Sequence, residues 1–241
     1  MNVSVIIVAA GSGKRMKSAI AKQYLDLKGR SILSYTVEVF EESPVVNEII
    51  LVTGKDEIEY VKSEIIDRYS FTKIKAVVEG GSERQYSVEN GLNNVSDNCD
   101  IVMIHDGVRP FIDENSIEVL AEDTAKYGAC VLGVFAKDTI KICDENGFVV
   151  DTPNRKLLWH AQTPQCFKYD VIKKAYEKAK EDNYLGTDDS MLVERTGQKI
   201  KMVEGSYDNI KITTPEDLYV GERILERNLI NNKNNIQMKV I

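Results

Sequence analysis

At 241 residues the chain can bury one sizeable core, and a formal net charge of −7 argues against an electrostatic grip on nucleic acid. No apolar run approaches the roughly 20 residues that cross a bilayer. The first apolar run starts at Val3 with no basic leader before it, so the chain reads as cytoplasmic and without a signal peptide. Cys99, Cys130, Cys143 and Cys166 are widely spaced, without a C-x-x-C pair, and only two histidines exist, which excludes a zinc framework or disulfide scaffold.

In chain order, Val- and Ile-rich runs predict strands over residues 3–9, 48–53, 74–78, 101–105 and 129–135. Helix-like spacing fills 32–42, 57–69, 83–94 and 115–126 between them. Continuous apolar strands separated by amphipathic helices indicate an α/β fold with a mostly parallel sheet covered on both faces. The rhythm then changes. Residues 139–143 and 148–151 flank Asp144-Glu145-Asn146-Gly147, whose Asn-Gly signals a hairpin turn, so about 137–155 reads as an inserted β-hairpin arm. It serves either as a contact to another subunit or as a lid on its own domain. Helices follow over 169–182 and 188–196, then a strand over 199–203. A last helix starts at Pro215, with Thr214 as its N-cap. Residues 1–227 read as one domain, and the Asn-rich 228–241 as a frayed tail.

The strongest local signal is Ala9-Ala10-Gly11-Ser12-Gly13-Lys14-Arg15-Met16, where the first strand ends. Small residues let backbone N–H groups approach phosphate oxygens, and Lys14 and Arg15 add positive charge. The dinucleotide fingerprint fails because Met16 stands where Gly is needed. The phosphate-loop motif of the NTPases fails because Val8 and Arg15 replace its Gly and Ser/Thr. Lys22, in Lys22-Gln23-Tyr24, is a second cation able to fold onto the same phosphates; alone it would be a solvated surface lysine. Glu79-Gly80-Gly81-Ser82-Glu83-Arg84-Gln85-Tyr86-Ser87 ends a second strand and opens a helix. Ligands in open α/β sheets bind beyond the carboxyl ends of strands, so both loops belong on one rim. Taken alone, the second is an ordinary turn capped by Ser82.

His105-Asp106-Gly107-Val108-Arg109-Pro110 ends the fourth strand on that rim, where Asp106 suits Mg²⁺ or a ribose hydroxyl. His105-Asp106 lacks the partner histidines of a metal hydrolase, and no G-x-S-x-G elbow supports a serine hydrolase. In Asp208-Asn209-Ile210-Lys211-Ile212, Lys211 points away from the face of its apolar neighbours, toward a ligand or toward water.

Together these pieces resemble the 2-C-methyl-D-erythritol 4-phosphate cytidylyltransferases of the non-mevalonate isoprenoid route. The ordered segments AAGSGKRM, KQY, GGSERQYSV, HDGVRP, KDTIK, LWHAQTPQ, GTDDS and VEGSYDNIKITTPEDL carry the likeness to about Arg227. The resemblance implies a Rossmann-like three-layer nucleotidyltransferase fold whose arm makes a homodimer. It also implies CTP and a small sugar-alcohol phosphate as substrates, Mg²⁺ as cofactor, and no nucleic-acid or membrane partner. Ala9, Ala10, Gly11, Gly13, Arg15 and Lys22 would cradle the CTP phosphates. Gly81, Ser82, Arg84 and Ser87 would hold cytosine and ribose, and Asp106 with Gly107 the ribose and metal side. Arg109, Thr139, Thr163, Thr187, Arg155 and Lys211 would bind the acceptor, the arm residues coming from the partner subunit, with Asp208 as a second metal contact. Arg15, Lys22, Arg155 and Lys211 would be the catalytic set. The acceptor phosphate attacks the α-phosphorus in line and pyrophosphate leaves, so catalysis is positioning and charge neutralisation. Ribitol-5-phosphate cytidylyltransferase is the neighbouring reading, suggested by Val108 where the isoprenoid enzymes usually carry Ala. A non-catalytic nucleotide-binding protein is the alternative of another class.

Overall fold

A computed structural model describes residues 1–11 and 20–238. From the N-terminus the chain forms β1 (Val3–Val8), a 3₁₀ turn (Lys22–Tyr24), β2 (Asp26–Leu27), β3 (Arg30–Ser31), α1 (Ile32–Glu42) and β4 (Glu48–Thr53). It continues through α2 (Ile58–Val61), extended by a π-helical stretch (Lys62–Asp67), then β5 (Ile74–Glu79), α3 (Arg84–Leu92), β6 (Ile101–Asp106), α4 (Glu114–Tyr127) and β7 (Ala129–Phe135). The arm carries β8 (Ile142–Cys143) and β9 (Val149–Asp151). After it come β10 (Trp159–Lys168), α5 (Tyr169–Glu181), α6 (Asp189–Glu194), β11 (Lys201–Glu204) and α7 (Pro215–Met238). The last helix thus takes in residues 228–238, which composition alone sets apart as a tail.

Seven strands form one sheet in the order β11-β7-β10-β6-β1-β4-β5. β1 lies parallel between β4 and β6, β5 extends the parallel set, and β11 is parallel to β7. β10 alone runs antiparallel, between β6 and β7. The alternation of side chains sends Val3, Val5 and Ile7 of β1 to one face, against Leu33 and Phe40 of α1, Val61 of α2 and Leu120 of α4. Ile6 goes to the other, with Val88 of α3, Ile172 and Ala175 of α5 and Leu192 of α6. Each face is therefore closed by helices, which explains why the strands read as unbroken apolar runs.

The helix ends are built locally. Ser31 accepts the Ser34 N–H at 3.2 Å to start α1. Asp113 accepts that of Ser116 at 2.8 Å to start α4, which stops at Gly128 in the left-handed region (φ +88°). At α7, Thr214 accepts the Asp217 N–H while the Asp217 carboxylate accepts the Thr213 and Thr214 N–H groups, a reciprocal cap.

Candidate active site

Because β1, β4, β5 and β6 are parallel, their carboxyl ends share one rim, and the loops leaving them converge. Backbone bonds lace them together: Ala9 N–H donates to Val52 at 2.7 Å, Gly80 N–H to Thr53 at 2.8 Å and Gly107 N–H to Val8 at 2.9 Å. The β1 and β5 loops approach so closely that a Cβ at Gly80 would fall 2.3 Å from that of Ala10, so only glycine fits there. Ser87 ties the second loop from within, its hydroxyl accepting from Gly81 N–H (3.0 Å) and donating to the Glu83 carbonyl (3.1 Å). Ser82 does not cap α3. Glu83 occupies that position and makes no side-chain bond to the helix, leaving first-turn N–H groups for a ligand.

These loops wall a cleft of about 390 Å³ that brings together Ala9, Ala10, Gly11, Lys22, Gly81, Ser82, Arg84, Ser87, Asp106 and Lys211. Gly13 and Arg15 lie outside the described residues. Lys22 runs beside Gly11, where an added Cβ would sit 3.9 Å from its Cε. The turn that carries it is fastened by the next residues. Tyr24 Oη lies 2.6 Å from the Thr53 hydroxyl and 2.9 Å from Glu57 Oε2, and buried Gln23 donates to the same carboxylate.

Asp106 ends β6 as a nearly buried carboxylate facing three cations: Lys211 Nζ at 2.9 Å, Arg84 Nε at 3.4 Å and Arg109 Nε at 3.5 Å. Burial opposes its ionisation, but those cations outweigh it and hold its carboxyl well below the usual carboxylate range. Lys211 does not sit in a regular strand: the segment is extended, anchored by Ile212 N–H on the Val108 carbonyl at 2.9 Å, and it aims the ammonium at the cleft.

Behind Asp106 the support is neutral. The Arg109 carbonyl, 3.0 Å from His105 Nε2, can only accept, so Nε2 carries the proton and Nδ1 accepts from Thr163. Thr163 Oγ1 also accepts the Asp106 N–H at 3.1 Å. Full burial pushes the His105 pKa down to about 4, keeping the ring neutral. Both histidines thus fall outside the cleft wall, His105 as a strut and His160 in the neighbouring cleft.

That second cleft, about 410 Å³, is lined by Arg109, Lys137, His160 and again Lys211. Lys211 therefore stands on both walls, and Arg109 Nη1 donates to the Asn209 carbonyl at 2.8 Å beside it. Gly107 packs against Ala9 and Leu33 instead of lining the cleft. Thr187 lies apart, on a third surface with Trp159 and Met191. Arg155 sits at the base of the arm, donating to the Lys137 carbonyl at 2.6 Å, and Thr139 lies in the exposed arm. Within one chain neither residue lines the central cleft. Asp208 is ion-paired with Arg227 and is not brought to Asp106. Among the residues of the site that went unselected in the sequence are Gln23, on the cleft wall, and Asp189, an ion-pair partner of Arg84 at 2.8 Å. Both lie inside quoted segments, but no spacing distinguishes them from their polar neighbours.

The model of the 2-C-methyl-D-erythritol 4-phosphate cytidylyltransferase family matches residues 3–227. The chain belongs to that family. The cytidylyltransferase of Clostridium botulinum is 53% identical over 224 residues, covering 93% of this chain and 97% of the relative. That of Clostridioides difficile is 50% identical over 236 residues, 97% and 99% of the two chains. Among solved structures, the 4-diphosphocytidyl-2C-methyl-D-erythritol synthase of Anaerococcus prevotii superposes with a TM-score of 0.84 at 36% identity, over 93% of this chain and 96% of that one. The Francisella tularensis cytidylyltransferase gives 0.78 at 33%, over 93% and 100%. Family membership favours the isoprenoid reading over ribitol phosphate, and Val108 has a plain role in the core, with Leu27, Ile32 and Ile212.

Proposed function

We propose that this chain transfers CMP from CTP to 2-C-methyl-D-erythritol 4-phosphate, giving 4-diphosphocytidyl-2-C-methyl-D-erythritol and pyrophosphate. The carrying observation is Lys211, shared by a cleft walled by glycine-rich loops and a cleft lined by Arg109 and Lys137. A triphosphate in the first and a monophosphate in the second would meet at one ammonium.

The chemistry follows from charge. A phosphate monoester is already an anionic nucleophile, so no base is needed, and the barrier is the repulsion between two anions. Backbone N–H groups after β1 and before α3 would receive the triphosphate, and Lys22, with Arg15, would offset charge at the α-phosphorus and leaving group. Lys211 would pass from Asp106 to the incoming phosphate oxygens. Arg155 would reach the acceptor from the arm of a second copy; Phe148, Val149, Val150 and Leu157 are exposed on or beside that arm, an apolar surface suited to a homodimer. The four cysteines are free, which suits the reducing cytoplasm.

For a magnesium ion the donor set fits in part. Among the described residues no group of three or more His, Cys, Asp or Glu side chains forms a ready cage. Mg²⁺ needs only one or two carboxylates when substrate phosphates and water complete its shell, so Asp106 would hold it. Asp208, paired with Arg227, does not fit. Bound there, the ion would supply charge neutralisation at the phosphates.

Pyrophosphate release from CTP, measured separately with methylerythritol phosphate and with ribitol 5-phosphate, tests the assignment. Release with the first only is expected; release with neither removes the enzyme reading altogether.

A further inference from the structure

The transfer as described makes no use of Asp189, yet this residue is placed at a cost. It is a carboxylate 1% exposed, in the first turn of α6 and outside the lining of the cleft. An unpaired charge so buried would be strongly destabilising, so its partners define why it is tolerated. There are two. Arg84 Nη2 approaches Oδ2 at 2.8 Å, and the Tyr176 hydroxyl donates to Oδ1 at 2.7 Å.

Arg84 lines the nucleotide cleft, and its Nε is 3.4 Å from Asp106. The guanidinium is thus strung between a carboxylate in the cleft and one behind it, the rear contact being the shorter. Burial works against its charge, but Asp189 and then Asp106 outweigh it and raise its pKa. With the rear charge gone, Asp106 would be the carboxylate left to attract Arg84 among the described residues, in competition with Lys211 and Arg109. A second latch runs alongside: Gln85 Nε2 donates to the Tyr184 carbonyl at 3.0 Å and its Oε1 accepts the Gly186 N–H at 2.9 Å. The first two residues of α3 are therefore fastened to α6 and to the segment that leads into it.

We propose that Asp189 is a positioning residue of the cytidylyl transfer, holding the Arg84 guanidinium at the nucleotide and off the Asp106–Lys211 pair; this rests on the assignment above. Asp189→Asn keeps the shape and removes the charge. We expect its KM for CTP to rise by about 10- to 100-fold, the order expected when one charge of a close buried pair is removed, with the acceptor KM within about threefold. The decisive readout is a double-mutant cycle on CTP affinity, by calorimetry, with Arg84→Ala. Once Arg84 is absent, Asp189→Asn should cost less than about twofold more. Full and multiplicative losses in the double variant would mark a merely structural role and overturn the proposal, as would an unchanged KM in folded Asp189→Asn. Should Asp189→Asn fail to fold, Tyr176→Phe, which retains the carboxylate but loosens it, must still raise the CTP KM at least twofold, and an unchanged value overturns the idea. Wild-type protein run alongside separates the two levels: turnover without these shifts sinks the role of Asp189 alone, whereas no pyrophosphate from wild type sinks the assignment beneath it.

Discussion

At the central cleft three cations close on Asp106 within 2.9 to 3.5 Å and the described strand ends are bonded to their neighbours, whereas the arm is held by two short strands and exposes Ile142, Phe148, Val149 and Val150. The described groups of the first region are bonded to one another within a single chain; the second has apolar surface and a cationic base, with little of the described chain packed against it. The difference teaches that the two substrates are served differently. On the proposed reading, the described nucleotide side is ordered by its own chain, and the acceptor side is completed by the arm of a second copy.

The largest break in that contrast is at Lys22. Lys22→Ala is expected to lower kcat by about 10² to 10³-fold while CTP affinity falls less, read by pyrophosphate release and calorimetry; an undiminished kcat removes its role. Arg155→Ala comes next, with turnover down about 10- to 100-fold and CTP affinity unchanged. Mixing the two defective proteins sharpens the point. If the arm serves its partner, half of randomly assorted dimers are mixed and each holds one intact site, so about a quarter of the wild-type rate returns. No recovery means that the arm serves its own chain. Phe148→Asp should then shift the protein toward monomer in sedimentation, at least tenfold in dissociation constant, since it places a charge on the apolar arm. A species of unchanged mass would leave the arm without its proposed use.

The smallest effect belongs to the strut behind the cleft. His105 has a folded pKa of about 4 against an ordinary 6.5. The unfolded chain therefore binds a proton first as pH falls, so stability declines from about pH 6.5 to pH 4, by on the order of 3 kcal/mol. Asp106, depressed as well, adds to the loss only below the usual carboxylate range. His105→Gln should flatten the first part of that pH profile in thermal melts.

Much of the sheet was legible because its strands are buried on both faces and read as plain apolar runs: β4 and β7 match their expected bounds, and α1 does too. β10 was not, although it lies in the middle of the sheet. Its segment Trp159-His160-Ala161-Gln162-Thr163-Pro164-Gln165 mixes polar residues with a proline, and the ladder to β7 slips between Ala161 and Gln165, which lets Pro164 sit where a regular ladder would reject it. In the site, the glycine loops and Asp106 announced themselves by residue type at strand ends. Lys22 and Lys211, each readable alone as a solvated lysine, stood out only through the family resemblance, because their aim depends on how the chain is pinned around them. Asp189 was hidden for a related reason, since pairing across the fold leaves no local pattern.

The rings of Phe135 and Trp159, 3.9 Å between centroids and tilted by 38°, mark where β7 ends and β10 begins, on either side of the arm. From that junction β10 runs back through Thr163, which touches both His105 and the Asp106 amide. One strand therefore leads from the root of the arm to the residue that holds the Asp106 amide, so the base of the projection and the anionic centre of the cleft share a single stretch of backbone.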